Sequence, residues 1–599
     1  MKKLLAVIVI ALVVAAAVWV ILRVQLAQRL ATVPELLPKT TLVLALVPDF
    51  QQTRKQWHES DIYQIWREPS VQAWLQEPLA RLPQDRGGRK TLEEFLQLGP
   101  THGFIALTSL ENNEPKLIGG FHFEPAPEEA RKFIEQRQGE WFQKTGETKR
   151  ETIVYEQHKI ETVSVSHFVF ANVYDNHWFF ASNDLAALKA LLDRVDRRRG
   201  EKDVSLGESD SFSAALKHLP GEYGGMIFLD PRPFVEKLMP VIAMTGQSLA
   251  MNQLAQLKQV RSMAATLGFD HGKMRETDFV AMPRVGAEEK LARRSLAVAG
   301  ANTFLYSASR IHWPENTFSP STPAAGGMPA IVQQLMNALT ARGMALNDLR
   351  EAFGEELEIV GDWPTDARWP TLQATLPVKD AARARKIAEA LTSVEIAGAA
   401  WTRREKDGAT VYSVQPLGGF VPLSPAIAVS DKTMCAGSDA AAVEAAVSTV
   451  ARPTGELEKS APFRDAAKQV PEADSGFNYV DTRLLFERAD AAVRPLLLMS
   501  ATFYPALGKN IDPAKFPPAE AIAKHLSPIV MSQRYETDGY VTESVGPVTF
   551  RQSTIGLAGL IGGALIYLQE GLKRGGLSQP NLANPLPSAA TPTPTASPL

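Results

Sequence analysis

Two aspartates, Asp230 and Asp481, each end a short hydrophobic run and precede a helical stretch. A carboxylate at the end of a strand is in a common place for a functional site. The same place is typical of a helix N-cap, because the aspartate side chain accepts hydrogen bonds from the free N–H groups of the first turn. Pro231 stands at the first helical position, where proline is favoured. We therefore interpret both aspartates as caps.

The histidines lack the spacing that a metal site requires. The chain has 10 of them, without a His-Glu-x-x-His or Cys-x-x-Cys pattern. His122, His167 and His177 stand in strand-like stretches, and we interpret them as structural residues. We predict no metal ligand among these side chains.

Three further candidates for chemistry have simpler interpretations. Cys435 is the only cysteine and lies in a strand-like run, which is typical of a buried, inert thiol. Ser438 is interpreted as a helix cap rather than a nucleophile, because no Gly-x-Ser-x-Gly or Ser-x-x-Lys pattern surrounds it. Asp278 and Asp538 recur in Glu-Thr-Asp and are expected in loops or at strand edges. We predict no catalytic residue.

Charge and motifs also exclude whole classes of function. The net charge is -3 without a basic stripe, so the chain lacks the electrostatic footprint of nucleic-acid binding. The run Arg197-Arg198-Arg199 complements the end of a helix. Neither a P-loop nor a Gly-x-Gly-x-x-Gly pattern occurs, and we predict no cofactor.

The sequence repeats itself. Six residue types recur at one constant spacing: Phe212, Ala215, Lys217, Pro220, Asp230 and Arg232 match Phe463, Ala466, Lys468, Pro471, Asp481 and Arg483. Further blocks follow in the same order: Asn183-Asp184 matches Ser438-Asp439, Leu92–Phe95 resembles Leu349–Phe353, and Glu276-Thr277-Asp278 matches Glu536-Thr537-Asp538. The period is too long for a solenoid, so it predicts two tandem domains.

An uncharged apolar run from Leu4 to Leu22 opens the chain between Lys3 and Arg23. At about 1.5 Å per residue a helix here covers ~28 Å, close to the ~30 Å hydrocarbon core of a bilayer. The alternative is a cleaved signal peptide, but its small residues, Ala15 to Ala17, lie inside the run. We predict a single-pass anchor in the inner cell membrane, with the N-terminus cytoplasmic and the bulk extracytoplasmic or periplasmic.

Five segments follow from these patterns. Residues 1–23 form the transmembrane anchor, 38–285 the first α+β unit, 298–551 the second, 553–568 a glycine-rich apolar helix and 575–599 a disordered Pro/Ser/Thr tail. The apolar helix is short for a membrane span, so a second span and a buried helix both stay open. The composition of the tail cannot supply a core.

Within each unit, strand-like runs cluster in consecutive groups. Ile160–Val165 and Phe168–Tyr174 are rich in β-branched and aromatic residues. Asp184–Val195 places its leucines on one helical stripe. This grouping predicts a mostly antiparallel α+β fold rather than a doubly wound parallel sheet.

The stretch from Leu42 to Leu75 carries a resemblance, through Asp49, Trp57, Ser60, Pro69, Val71 and Trp74. It resembles the start of a bacterial family of N-terminally membrane-anchored proteins with a domain of unknown function, present here as a tandem duplication. The Asn183-Asp184 helix start and the Phe212 to Asp230 block are similar to that family too. The resemblance extends from the anchor to about Arg551 and implies no activity, so it supplies no site residue.

Two functions remain. The absence of local motifs favours a non-enzymatic binding or scaffolding protein of the cell envelope, whose partners are the bilayer and an envelope protein. The alternative is an envelope hydrolase whose site assembles only in three dimensions. We expect binding at the junction of the two units, where Trp57, Trp66 and Trp74 have no counterpart: Pro314, Pro320 and Pro323 occupy the corresponding stretch. The alternative for these tryptophans is the core.

Overall fold

The computed structural model describes residues 32–81, 94–110, 114–124, 127–145, 149–165, 168–175, 177–197, 203–245, 257–286, 289–311, 337–395, 398–416, 423–450, 455–503 and 515–554. The expected anchor (1–23), nearly all of the apolar segment (553–568), the tail (575–599), His167 and the three prolines of the second half lie outside these residues. Across the described ranges, no helix is long and apolar enough to cross a membrane.

Strands β1 to β10 belong to the first half: Val43–Val47, Pro100–Ser109, Lys116–Phe123, Lys149–Tyr155, His158–Val165, Phe168–Asp175, Trp178–Ser182, Gly225–Leu229, Ser262–Asp270 and Lys273–Ala281. Strands β11 to β20 belong to the second: Thr303–Arg310, Glu356–Asp362, Thr371–Pro377, Thr402–Lys406, Ala409–Ser413, Ala426–Val429, Thr433–Gly437, Gly476–Val480, Ile529–Glu536 and Gly539–Gly546.

The helices of the first half are α1 to α8: Val33–Leu36, Phe50–Glu59, Asp61–Arg67, Pro69–Arg81, Pro127–Thr145, Leu185–Val195, Asp210–Leu216 and Arg232–Thr245. Those of the second half are α9 to α15: Leu346–Ala352, Ala381–Leu391, Ala440–Val450, Glu456–Lys459, Ala461–Ala467, Thr482–Phe503 and Ala519–Ala523. A further short helix occupies residues 550–554.

All twenty strands join one antiparallel sheet. Successive pairings give the order β4-β5-β6-β7-β3-β2-β1-β8-β9-β10 in the first half. The second half has the order β14-β15-β16-β17-β13-β12-β11-β18-β19-β20. The α+β prediction is confirmed, and the nth strand of one half stands where the nth strand of the other does.

One predicted correspondence between the halves is wrong. Glu276 and Asp278 lie in β10, the last strand of the first half, whereas Glu536 ends β19 and Asp538 lies in the turn before β20. The hairpins pair Asp270 with Lys273 and Glu536 with Gly539, so Asp270 is the counterpart of Glu536. The Glu-Thr-Asp match was a coincidence of composition.

The core of the first half lies on one face of the sheet, which we call the inner face. Alternate residues of β1, β2 and β8 point there and bury Leu44, Phe104 and Phe228. Helices α6 and α7 cover them with Leu188 and Phe212, which belong to the same cluster. Burying each such side chain contributes about 1.5–3 kcal/mol.

The second half builds its core in the same way. Tyr306, Phe477 and Tyr479 are buried on the inner face, and α13 covers them with Phe463 and Ala466. The residues between these on each strand point to the other face, which we call the outer face. In the first half the outer face carries Ala45, Ile105 and Ile227.

Candidate functional site at the junction of the two halves

Strands β10 and β20 join the two halves, and we call this pair the seam. Opposite residues run antiparallel from Met274 and Gly546 to Val280 and Tyr540. Backbone hydrogen bonds therefore connect the halves along a strand pair. Any binding surface at the junction has to lie on one of the two faces of the seam.

On the inner face, His218 of the first half contacts two carboxylates of the second. Its ring stacks on Phe279 of the seam with centroids 4.2 Å apart. Nδ1 lies 2.8 Å from Glu536 Oε2, and Nε2 lies 2.8 Å from Asp538 Oδ1. Since carboxylates only accept, both contacts are hydrogen bonds when both ring nitrogens carry a hydrogen. Partial burial raises the pKa of Glu536, but His218 and Arg534 outweigh it and bring that pKa below its usual value.

Gln469 occupies the matching position after α13 in the second half. Its Oε1 accepts a hydrogen bond from Lys273 Nζ at 3.1 Å, and its carbonyl oxygen accepts from Arg275 at 3.2 Å. Arg275 also lies 3.4 Å from Glu543 across the seam. The second residue after α7 and the second residue after α13 thus each bind the hairpin of the other half. These contacts form a polar network on the inner face of the seam.

On the outer face, Asp278 is a buried carboxyl group. Its side chain is 10% exposed, and Oδ1 has no hydrogen-bond partner among the described atoms. Arg551 pairs with Oδ2 and also lies 3.4 Å from Glu276. Burial and the charge of Glu276 raise the pKa of Asp278 to about 7, although Arg551 opposes the shift. The expectation that Asp278 lies in a loop or at a strand edge is wrong, because the seam is central to the sheet.

Trp57, Trp66 and Trp74 stand on α2, α3 and α4, beside the seam. Trp66 is 43% and Trp57 37% exposed. The ring centroid of Trp57 lies 6.3 Å from that of Phe269 in β9. Trp74 is half-buried and meets Phe516 of the second half edge-on at 5.4 Å. The alternative that these side chains fill the core is wrong for Trp57 and Trp66.

A second bridge connects α3 and α4 to the second half. Glu68, between these helices, accepts a hydrogen bond from His525 Nε2 at 2.7 Å and lies 2.8 Å from Lys524. Hydrogen bonds from His525 and Lys524 lower the pKa of Glu68. The tryptophan-bearing helices therefore rest on both halves.

Asp230 and Asp481 both accept a hydrogen bond from the first turn of the helix that follows, as predicted for caps. The predicted place of Pro231 is wrong by one residue, because α8 begins at Arg232. Asp230 Oδ1 accepts from the Arg232 N–H at 3.1 Å, and Asp481 Oδ1 accepts from the Leu484 N–H at 2.9 Å. The Arg232 guanidinium also binds Asp230. Their side chains are occupied by these structural hydrogen bonds.

Ser438 and Cys435 have structural roles as well. Asp439, not Ser438, caps α11, since its Oδ1 accepts from the Ala442 N–H at 2.9 Å. Ser438 Oγ instead accepts from the Leu372 N–H at 3.0 Å, so its assignment as a cap is wrong by one residue. Cys435 is fully buried, and burial raises the pKa of its thiol to about 12, which makes it inert as predicted.

Of the histidines singled out by the sequence, His122 and His177 are described, and their ring centroids lie 6.2 Å apart. His122 is buried beside Thr101, whose Oγ1 lies 2.7 Å from its Nδ1. Burial, with His102 nearby, lowers its pKa. His177 takes a φ of 67° in the turn before β7. In the part of the chain that the structure describes, no cluster of three His, Cys, Asp or Glu side chains could hold a metal ion.

Sequence reasoning did not single out His218 or Arg551, which make the main side-chain contacts of the seam. The one available signal for His218 is its alignment with Gln469 next to the matching pair Lys217 and Lys468, where one polar residue type replaces another. No signal pointed to Arg551, because its partners lie far away in the sequence.

Comparisons with known proteins show no family for this chain. No family model matches it, and no curated protein does. Two solved structures align with 43% of the chain: crystal form III of TP0453, at 9% identity over 81% of that chain, and crystal form I of TP0453, at 11% identity over 82%. Both have a TM-score of 0.22, which carries no argument about fold or function.

Proposed function

We propose that this chain is a membrane-anchored, extracytoplasmic protein of the cell envelope that binds or scaffolds a partner protein and performs no catalysis. The observation that carries the proposal is the exposure of Trp57 and Trp66 beside the seam. Tryptophan is highly buried on average in folded proteins. Exposed tryptophans on a rigid helical support are typical of the residues that dominate protein–protein binding energy.

The support under these tryptophans is firm. Asp49 and Ser60 cap α2 and α3 through hydrogen bonds from the N–H groups of Gln52 and Tyr63. Ionic contacts of Glu68 hold the following turn against the second half. A partner therefore meets aromatic side chains whose backbone is already ordered, which lowers the entropic cost of binding.

We also propose that the two halves are tandem copies of one unit. The identical strand order supports this, as do matching hydrogen bonds in the two halves. The Asp230 N–H donates to the Leu42 carbonyl at 2.8 Å, and the Asp481 N–H donates to the Phe304 carbonyl at 2.8 Å. Ser209 and Ser460 each cap the helix that follows. The anchor at Leu4–Leu22 and the orientation of the chain rest on the sequence alone.

An envelope hydrolase is the second candidate, and Asp278 is the observation in its favour. A carboxyl group with a pKa of about 7 suits general acid–base catalysis near neutral pH. Its contacts, however, are Arg551 and Glu276, which form an ion-pair network rather than a nucleophile and base. The binding function therefore accounts for more of the structure.

Cross-linking in intact membranes tests the proposal. Wild-type chain, Trp66→Ala and Val154→Ala are expressed at equal levels, cross-linked and purified. Val154 is 70% exposed on β4, a strand at the edge of the sheet. It is therefore the matched control for the loss of an exposed apolar side chain. We expect Trp66→Ala alone to lose a partner; the same set of partners in all three samples refutes the proposal.

A further inference from the structure

An exposed apolar row crosses the outer face of the first half. Pairing places Ala265, Ile227, Ala45 and Ile105 side by side on successive strands, starting beside Asp278 of the seam. Ile227 is 56% and Ile105 55% exposed. We call these four residues the apolar row. Because burial of apolar side chains is favourable, two exposed isoleucines joined by Ala45 on the strand between them indicate a contact surface.

The matching row of the second half is polar at its two central positions. Met531, Asn478, Ser307 and Ile359 occupy it in the same order. Asn478, the counterpart of Ile227, is only 8% exposed. The polar side chain of Asn478 is thus buried, whereas the apolar side chain of Ile227 is exposed to solvent. Burial within the described part of the chain does not explain the isoleucine, whereas an additional occupant of the row does.

The chain itself arrives at the end of this row. Helix 550–554 lies over the outer face of the seam, because Arg551 binds Asp278 and the Phe550 N–H donates to Ser544 Oγ at 2.8 Å. Ser544 stands opposite Glu276 in the seam. The last described residue, Thr554, lies three residues, or less than one helical turn, beyond Arg551, which binds Asp278 at the start of the apolar row.

We propose that the stretch from Ile555 to Leu568, which lies outside the described residues, binds the apolar row. It contains no charged side chain and is rich in leucine and isoleucine. Ile227 is two strands from Asp278, or ~10 Å, and Ile105 is four strands away, or ~19 Å. Fourteen residues reach ~21 Å even at the short rise of a helix, so the stretch is long enough in any conformation.

This inference goes beyond the proposed function, because the apolar row is a site that the chain occupies itself. Two other occupants of the apolar row would give different experimental results. A second copy of the chain would cover the row only in a dimer. A lipid bilayer would cover it only when membrane is present.

Cysteine labelling distinguishes these cases. Cys435 is buried with a raised pKa, so a maleimide reagent reports an introduced cysteine over a low background. Ile227→Cys is compared in the full chain and in a chain that ends at Thr554, both in detergent. We expect labelling at least tenfold slower in the full chain. Val154→Cys, remote from the row, is the control and should label equally in both.

Equal labelling of Ile227→Cys in the two chains overturns the proposal. Because truncation can disturb folding, Leu560→Glu in the full chain is the second variant, and the added charge should speed the labelling of Ile227→Cys as truncation does. Unchanged slow labelling in that variant also overturns it.

Disulfide formation completes the test. Ile227→Cys combined in turn with Ala558→Cys, Leu560→Cys and Ala564→Cys should give at least one disulfide within a single chain. A disulfide found only between two chains assigns the row to a second copy and overturns the proposal. Protection of Ile227→Cys that appears only in lipid vesicles assigns it to the membrane and does the same. None of these results depends on Trp66. Failure of this proposal would therefore not contradict the proposed binding function.

Discussion

Replacing Asp278 by asparagine should remove a pH dependence of stability that the seam carries. The carboxyl group is nine-tenths buried, and Oδ1 has no hydrogen-bond partner in the described part of the chain. Its pKa is about 7 in the folded chain against 3.8 for an ordinary aspartate. The cause is burial first and the neighbouring charge of Glu276 second. Asparagine keeps the size of the side chain and removes the titration.

The sign follows from proton binding. Between about pH 4 and pH 7 the folded chain holds a proton on Asp278 that the unfolded chain has released. The free energy of unfolding therefore falls as the pH rises through this window. The difference between 3.8 and about 7 corresponds to roughly 4 kcal/mol as an upper bound. We expect about 2 kcal/mol, because Arg551 is 58% exposed and can adjust to the ionised group.

Urea unfolding of the full chain in detergent, followed by tryptophan fluorescence between pH 5 and 8, measures this effect. Asp270→Asn is the matched control on the neighbouring strand. Partial burial raises the pKa of Asp270, but His271 and Arg275 outweigh it and lower that pKa below its usual value. Asp270→Asn should therefore show the same fall in the free energy of unfolding between pH 5 and 7 as the wild type. If Asp278→Asn shows the same decline as the wild type, the reasoning about the buried carboxyl is refuted.

Three further predictions follow from the fold and the anchor. Asp230→Ala and Asp481→Ala should each cost about 0.5–2 kcal/mol in urea unfolding, as for other lost N-caps, and an unchanged midpoint in both contradicts the cap assignment. His218→Ala should cost about 1–3 kcal/mol and speed hydrogen exchange in β10 and β20, since it removes the side chain that bonds to both Glu536 and Asp538 across the junction. Unchanged exchange there means that these contacts do not hold the seam. Protease added to spheroplasts should digest the body while Met1 stays protected, and a body that survives until lysis inverts the predicted topology.

Much of the fold could be predicted from the sequence because it depends on local patterns. Asp230 and Asp481 act as caps through hydrogen bonds two or three residues away, which sequence spacing reveals. The antiparallel grouping of strands likewise follows from short connections. The error at Ser438 shows the limit of such patterns, since Ser438 and Asp439 are both good caps and only the course of the backbone decides between them.

The candidate site was harder to predict because it depends on contacts between distant parts of the chain. The pairing of β10 with β20 joins residues that are far apart in the sequence, and no local signal marks it. Composition alone suggested the match of Asp278 with Asp538, but the hairpins shift the register. The exposure of Trp66 depends on the position of its helix relative to the sheet, and the hydropathy of the sequence does not predict that position.

The affinity for a partner captured by cross-linking is the most direct test of the binding function. Dissociation constants are measured by calorimetry for the wild-type chain, Trp66→Ala and Val154→Ala. A central aromatic contact contributes about 2 kcal/mol or more, so Trp66→Ala should weaken binding by roughly thirtyfold, while Val154→Ala leaves it unchanged. Equal dissociation constants for all three chains would contradict the assignment of the tryptophan surface beside the seam as the binding site.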